Sequence, residues 1–146
     1  MYPLYFSMAT NDQAMHIANE IEDSFLKPGG VVTTLVNTTQ QWDSPNGWAP
    51  LQWLTVSGLR NYQHDDLAET IKTRWTTLNR DVFQRTGKLL EKYNVINLNL
   101  KGGGGEYPVQ DGFGWTNGVL LQFLREKENV DKKITPSSQE ELKKAS

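Results

Sequence analysis

Apolar positions recur at helical spacing over several stretches of this chain, separated by Pro, Gly and aromatic-rich segments. Ala14, Ile17, Ala18, Ile21 and Phe25 share one helical face, and Thr10 or Asn11 can cap the first turn. The pattern predicts a helix to about Leu26, ended by Lys27-Pro28-Gly29-Gly30, because Pro and Gly do not readily continue one. Residues 31–36 are rich in β-branched types and read as extended, though too short to define a sheet. Pro50 opens a second helix, where its missing N–H is no loss, and Leu51, Leu54, Leu59 and Tyr62 are its expected stripe. After a turn at Gln63-His64-Asp65 the longest helix is predicted over about 66–86, with Leu67, Ile71, Trp75, Leu78 and Val82 apolar. Gly87 ends it, and Leu89, Leu90 and Tyr93 suggest one more helical turn. Residues 94–105 read as loop, and a last helix begins near Thr116 or Asn117 with Val119, Leu120, Phe123 and Leu124 buried.

From Glu126 onward Lys mixes with Glu and Asp. Ser138-x-x-Glu141 could cap a short helix, but no apolar stripe follows it. Residues 126–146 therefore read as a polar, disordered tail behind a single folded segment, 1–125. Helices joined by long loops, with little strand, predict an all-α architecture.

Composition narrows the function. A chain of 146 residues that is 37% hydrophobic and 22% charged can bury one real core. A net charge of -2 offers no basic surface, so nucleic acid and anionic membranes are not expected partners. The absence of cysteine rules out disulfides, thiolate metal sites and a cysteine nucleophile. His16 and His64 lack metal-ligand spacing, so no metal is expected. Met1-Tyr2-Pro3-Leu4-Tyr5-Phe6 is apolar but has no basic n-region and no small-residue cleavage site, so no signal peptide is read there. A chain made as it stands is then expected in the cytoplasm. Asn37-Thr38-Thr39 fits a glycosylation triplet, which carries little weight without a secretion signal.

Two stretches depart from what folding alone requires. The first is Gln41-Trp42-Asp43-Ser44-Pro45-Asn46-Gly47-Trp48-Ala49-Pro50. Two indoles flank a carboxylate, which suits a sugar: the ring packs on the apolar face of a pyranose and the carboxylate takes its hydroxyls. Gln41 and Asp43 are the hydroxyl partners in this reading, Trp42 and Trp48 the walls, and Gln52 faces the same site. The alternative is a Pro-Asn-Gly turn fixed by Asp43, with Trp side chains filling a core. The second stretch runs from Gly102-Gly103-Gly104-Gly105-Glu106-Tyr107-Pro108 to Asp111-Gly112-Phe113-Gly114-Trp115-Thr116-Asn117-Gly118. Its glycines permit close backbone approach to a ligand or closure as a lid; the alternative is a flexible linker. No Lys-Ser or Lys-Thr follows them, which argues against a phosphate loop. Tyr107, Phe113 and Trp115 either shape a pocket or anchor the loop.

Splitting a glycosidic bond takes two carboxyl groups, one as acid and one as nucleophile or base. Asp43, Glu91, Glu106 and Asp111 are the candidates, and Glu106 has the most unusual setting.

Both stretches, with Pro28-Gly29-Gly30 and Glu91-Lys92-Tyr93, resemble signatures of the trehalases, glycoside hydrolase family thirty-seven. The resemblance runs from about Tyr2 to about Leu124. It implies an (α/α)6 barrel of two concentric helical rings, of which this chain would be the C-terminal part, roughly a third. It implies inverting hydrolysis of α,α-trehalose to two glucose molecules, without a cofactor. Glu91 takes the water-activating role by its context, and Glu106 a sugar-hydroxyl role. Gln41, Trp42, Asp43, Trp48, Tyr107 and Trp115 complete the substrate-binding set. The family's general acid is an aspartate N-terminal to anything present here, and several substrate-gripping arginines belong to that same part. The expected partners are therefore trehalose and the N-terminal portion of the barrel. The parent enzyme could be cytoplasmic or periplasmic. A non-catalytic sugar-binding or barrel-completing fragment, or a truncated gene product, is the rival account.

Overall fold

The computed structural model describes residues 1–100 and 108–134. Five helices, α1 (Tyr2–Tyr5), α2 (Asn11–Glu20), α3 (Ala49–Asn61), α4 (Asp65–Thr86) and α5 (Gly114–Ile134), make it mostly helical, as the apolar spacing predicts. Four short strands join them: β1 (Leu26–Lys27), β2 (Gly30–Val31), β3 (Asn46–Trp48) and β4 (Lys92–Asn94). These form two antiparallel ribbons, β1 with β2 and β3 with β4.

Local chemistry accounts for the helix limits. Thr10 caps α2 through a reciprocal pair: its hydroxyl accepts from Gln13 N–H, and the Gln13 side chain accepts from Thr10 N–H. A π-helical turn, Ile21–Phe25, follows before the chain enters β1. Gly87 ends α4 in the left-handed region, φ 69°, where a Cβ would be strained. The α4 stripe is largely as predicted, with Ile71, Trp75, Leu78 and Val82 buried and Ala68 beside them.

Three expectations are corrected. The buried face of α3 is Gln52, Thr55, Val56, Gly58 and Leu59, rotated from the predicted stripe; Leu51 and Leu54 stay partly exposed. Leu90 and Tyr93 do not begin a helical turn but lead into β4, because residues 92–94 find backbone partners on β3. Finally, α5 starts at Gly114 and passes Glu126, the expected start of the tail. Glu126 is held by charge: its carboxylate meets Arg60 of α3 at 3.1 Å and Lys72 of α4 at 3.4 Å. Glu69 joins the same cluster, 3.0 Å from Lys72 and 3.5 Å from Arg60. The predicted stripe of α5 holds at Leu120 and Phe123, which are buried, while Val119 and Leu124 are half-buried.

The core lies between α3, α4 and the segment 29–33, with Leu4 of α1 against α3. Only 31 of the stretch 31–36 is in a strand, and Leu35 and Val36 are exposed. The polar centre of this core is Gln52, fully buried. Its amide Nε2 donates to Val31 O at 2.7 Å and its Oε1 accepts from Val31 N–H at 2.9 Å. A side-chain amide here replaces a neighbouring strand, since buried peptide groups must be paired. Gln52 therefore belongs to the scaffold and not, as expected, to the sugar site.

Replacing Gln52 with Leu strands a buried N–H and a buried C=O at Val31, each worth about 1–3 kcal/mol. We expect Gln52→Leu to lower the unfolding free energy by about 2–6 kcal/mol, read from the urea midpoint at unchanged slope.

Candidate active site

The two unusual stretches meet on the β3–β4 ribbon. Its register pairs Asn46 with Asn94, Gly47 with Tyr93 and Trp48 with Lys92. Cross-strand partners share a face, so the Trp48 indole and the Lys92 side chain lie together, with Nζ 5.6 Å from the ring centroid. Gly47 permits the packing around it: a Cβ there would stand 2.5 Å from Val95 Cγ1 and 3.0 Å from Val31 O.

Trp48 is 1% exposed and is the hub of an aromatic group. Trp42 stacks on it at 3.8 Å and 9°, and Trp115 meets it edge-on at 5.6 Å. Phe113 lies 4.6 Å from Trp115. Trp42 keeps 43% of its surface in solvent, so the stack runs from the core to the surface. Trp48 Nε1 and Asn46 Nδ2 both donate to Gln41 O at 3.2 Å, which fixes the loop above the ribbon. The Gln41 side-chain oxygen is buried and has no hydrogen-bond partner among the described residues.

Asp43 turns inward on its own loop. Its carboxylate accepts from Thr38 N–H at 3.0 Å, from the Thr38 hydroxyl and from the Thr34 hydroxyl at 3.4 Å. The Thr38 hydrogen bonds hold this carboxyl below its ordinary range. This is the turn-fixing geometry that the sequence left open beside the ligand role.

Glu91 stands immediately before β4 and is 2% exposed. Residues of the second stretch grip its backbone: its N–H donates to Gln110 O at 2.8 Å, and its C=O accepts from Trp115 Nε1 at 3.2 Å. Lys92, also buried, has its ammonium pulled below the usual range by desolvation, while the Glu91 charge opposes that shift. Asp111 is exposed and pairs with Lys88, which lowers its carboxyl; the two stand where the Leu90–Asp111 bridge begins. Glu106, Tyr107 and the run of glycines at 102–105 lie outside the described residues. Among the described residues no group of three or more His, Asp or Glu side chains could hold a metal ion.

Sequence reasoning missed three residues here. Asn46, Thr116 and Tyr93 are buried beside Glu91 or its ribbon. Thr116 sits inside the second stretch and Tyr93 two residues from Glu91, so position was the available signal.

The trehalase family model matches residues 1–128. The chain belongs to the trehalase family. It is 49% identical over 137 residues to the periplasmic trehalase of Xanthomonas axonopodis pv. citri, covering 94% of this chain and 24% of that protein. It is 50% identical over 124 residues to the periplasmic trehalase of Salmonella schwarzengrund, covering 85% of this chain and 22% of the other. Among solved structures, the neutral trehalase of Saccharomyces cerevisiae superposes with a TM-score of 0.68 at 27% identity, over 84% of this chain and 22% of the yeast chain. The chain thus spans less than a quarter of the length of these relatives. The expected cytoplasmic location is corrected by the same finding, because the bacterial relatives are named periplasmic.

The Tyr93 phenol is 1% exposed, and burial raises its pKa from 10.0 to about 12. Below pH 10 the phenol is protonated in both states and the native form keeps its full advantage. Between about 10 and about 12 only the unfolded chain releases the proton, so stability falls as pH rises. The difference amounts to about 3 kcal/mol across that window. Alkaline unfolding followed by circular dichroism should lose this part of its pH dependence in Tyr93→Phe.

Proposed function

We propose that this chain is the base-bearing portion of a trehalase catalytic domain. In the completed domain, α,α-trehalose is hydrolysed to two glucose molecules with inversion. Glu91 deprotonates the attacking water, and an aspartate on the portion not present here protonates the leaving oxygen. Trp42 and Trp48 form an apolar wall, and Trp115 extends it. Gln41 accepts a hydrogen bond from a sugar hydroxyl through its buried carboxamide oxygen. Glu106 and Tyr107 bind the sugar from the glycine-rich segment, while Asp43 contributes through loop geometry.

The observation that carries this reading is the meeting of the two stretches: the Trp48–Trp115 contact at 5.6 Å and the Trp115 hydrogen bond to Glu91 bring one wall and one carboxylate residue together. A second support is the open acceptor on Gln41, since a buried oxygen without a donor is costly unless a ligand supplies one. Burial of Glu91 keeps bulk water away, which suits a base that must select one nucleophile. The helices of this chain then form part of an (α/α)6 barrel whose remaining helices come from the rest of a trehalase.

A base without its acid forfeits assistance of about 10²–10⁴-fold, and loss of substrate positioning adds to that. The purified chain should therefore release no measurable glucose from trehalose. A chimaera in which this chain replaces the matching portion of the Xanthomonas periplasmic trehalase should be active, and Glu91→Gln in it should abolish turnover. Turnover that survives Glu91→Gln would exclude Glu91 as the base.

A further inference from the structure

Resting on the reading of Glu91 as the base, we propose that Thr116 and Tyr93 are positioning residues that clamp the peptides on either side of Leu90. The register of the β3–β4 ribbon ends at Trp48 and Lys92, so Leu90 lies beyond its paired residues. Side-chain hydroxyls take over. Leu90 N–H donates to Tyr93 Oη at 2.8 Å, and Leu90 C=O accepts from Thr116 Oγ1 at 2.8 Å. The Leu90 carbonyl and the Glu91 N–H belong to one peptide plane. That plane is held by Thr116 on one edge and by Gln110 O, at 2.8 Å, on the other. With Trp115 on the Glu91 carbonyl, all four backbone polar groups of Leu90 and Glu91 are occupied.

Neither hydroxyl is placed to touch a substrate. Thr116 is 0% exposed and Tyr93 1% exposed, and Tyr93 packs edge-on against the buried Trp75 at 5.2 Å. Their action on the reaction runs through the Glu91 backbone. A general base works only within hydrogen-bond reach of its proton, and misplacement by about 1 Å costs about a hundredfold. Both residues were outside the set expected from sequence, because a Thr and a Tyr that bind backbone look like ordinary core.

Thr116→Val keeps the shape and removes the donor. In the active chimaera it should lower kcat by about ten- to a hundredfold with KM within about twofold, and Thr116→Ser should restore most of the loss. A kcat that stays unchanged in Thr116→Val, or one that Ser does not restore, overturns the inference. Amide exchange in the 146-residue chain, read by NMR, supplies the second measurement. Thr116→Val should speed exchange at Glu91 about tenfold or more while amides in the middle of α3 hold their rates. Unchanged exchange at Glu91 overturns the clamp whatever happens to turnover. Turnover in the chimaera that survives Glu91→Gln, together with accelerated exchange in Thr116→Val, would sink the assignment of Glu91 and leave the clamp standing.

Discussion

Three cross-strand pairs between residues 46–48 and 92–94 bring the two halves of this molecule into register. A ribbon this short is not stable alone, so its surroundings must hold it. Segment 29–33 packs along it: Gly29 N–H donates to Val95 O at 2.8 Å, and Thr33 N–H to Asn46 O at 3.2 Å. Gln52 fastens the middle of that segment from α3. Gly29 and Gly47 let these layers approach, since a Cβ at Gly29 would fall 2.6 Å from a Leu78 methyl. The candidate site depends on this layering, because the ribbon brings Trp48 beside the strand that Glu91 precedes, and Trp115 then bridges the two.

Helices were legible where local chemistry and burial agree. The Thr10 cap, the Pro50 start, the Gly87 stop and the α4 stripe are all set by nearby residues. The stretch 89–93 was not legible. Leu90 and Tyr93 match a helical period, but Tyr93 bends back to Leu90 N–H while Lys92 and Asn94 pair with a strand far away in sequence. Long-range pairing overrode the local pattern, and no window of neighbouring residues contains that information. The α3 face was misread for a related reason: its key buried residue is a polar Gln, whose partner is a backbone segment that a hydropathy pattern does not see.

The candidate site was legible as two aromatic stretches, and the geometry shows how each is packed. Trp42 and Trp48 behave as one stacked unit, with the outer indole supported by the inner one. The Asp43 carboxylate is engaged by Thr38 of its own loop, which fits the simpler of the two roles that its setting allowed. Trp115 serves both an aromatic contact and a hydrogen bond to the Glu91 carbonyl, so a single indole links wall and backbone. Composition alone could not separate these jobs, because indoles in walls and indoles in supports look alike in a sequence.

The charge cluster of Arg60, Glu69, Lys72 and Glu126 gives α5 a second point of attachment. It lies about 16 Å along the helix from Trp115, at 1.5 Å of rise per residue. A rigid rod pinned at both ends behaves as a lever. Loosening the ionic end would let the rod tilt, and the indole and hydroxyl at its other end would drift off the peptides they hold. On the reading of Glu91 as the base, its alignment would thereby depend on ionic strength at a remote, partly wetted surface.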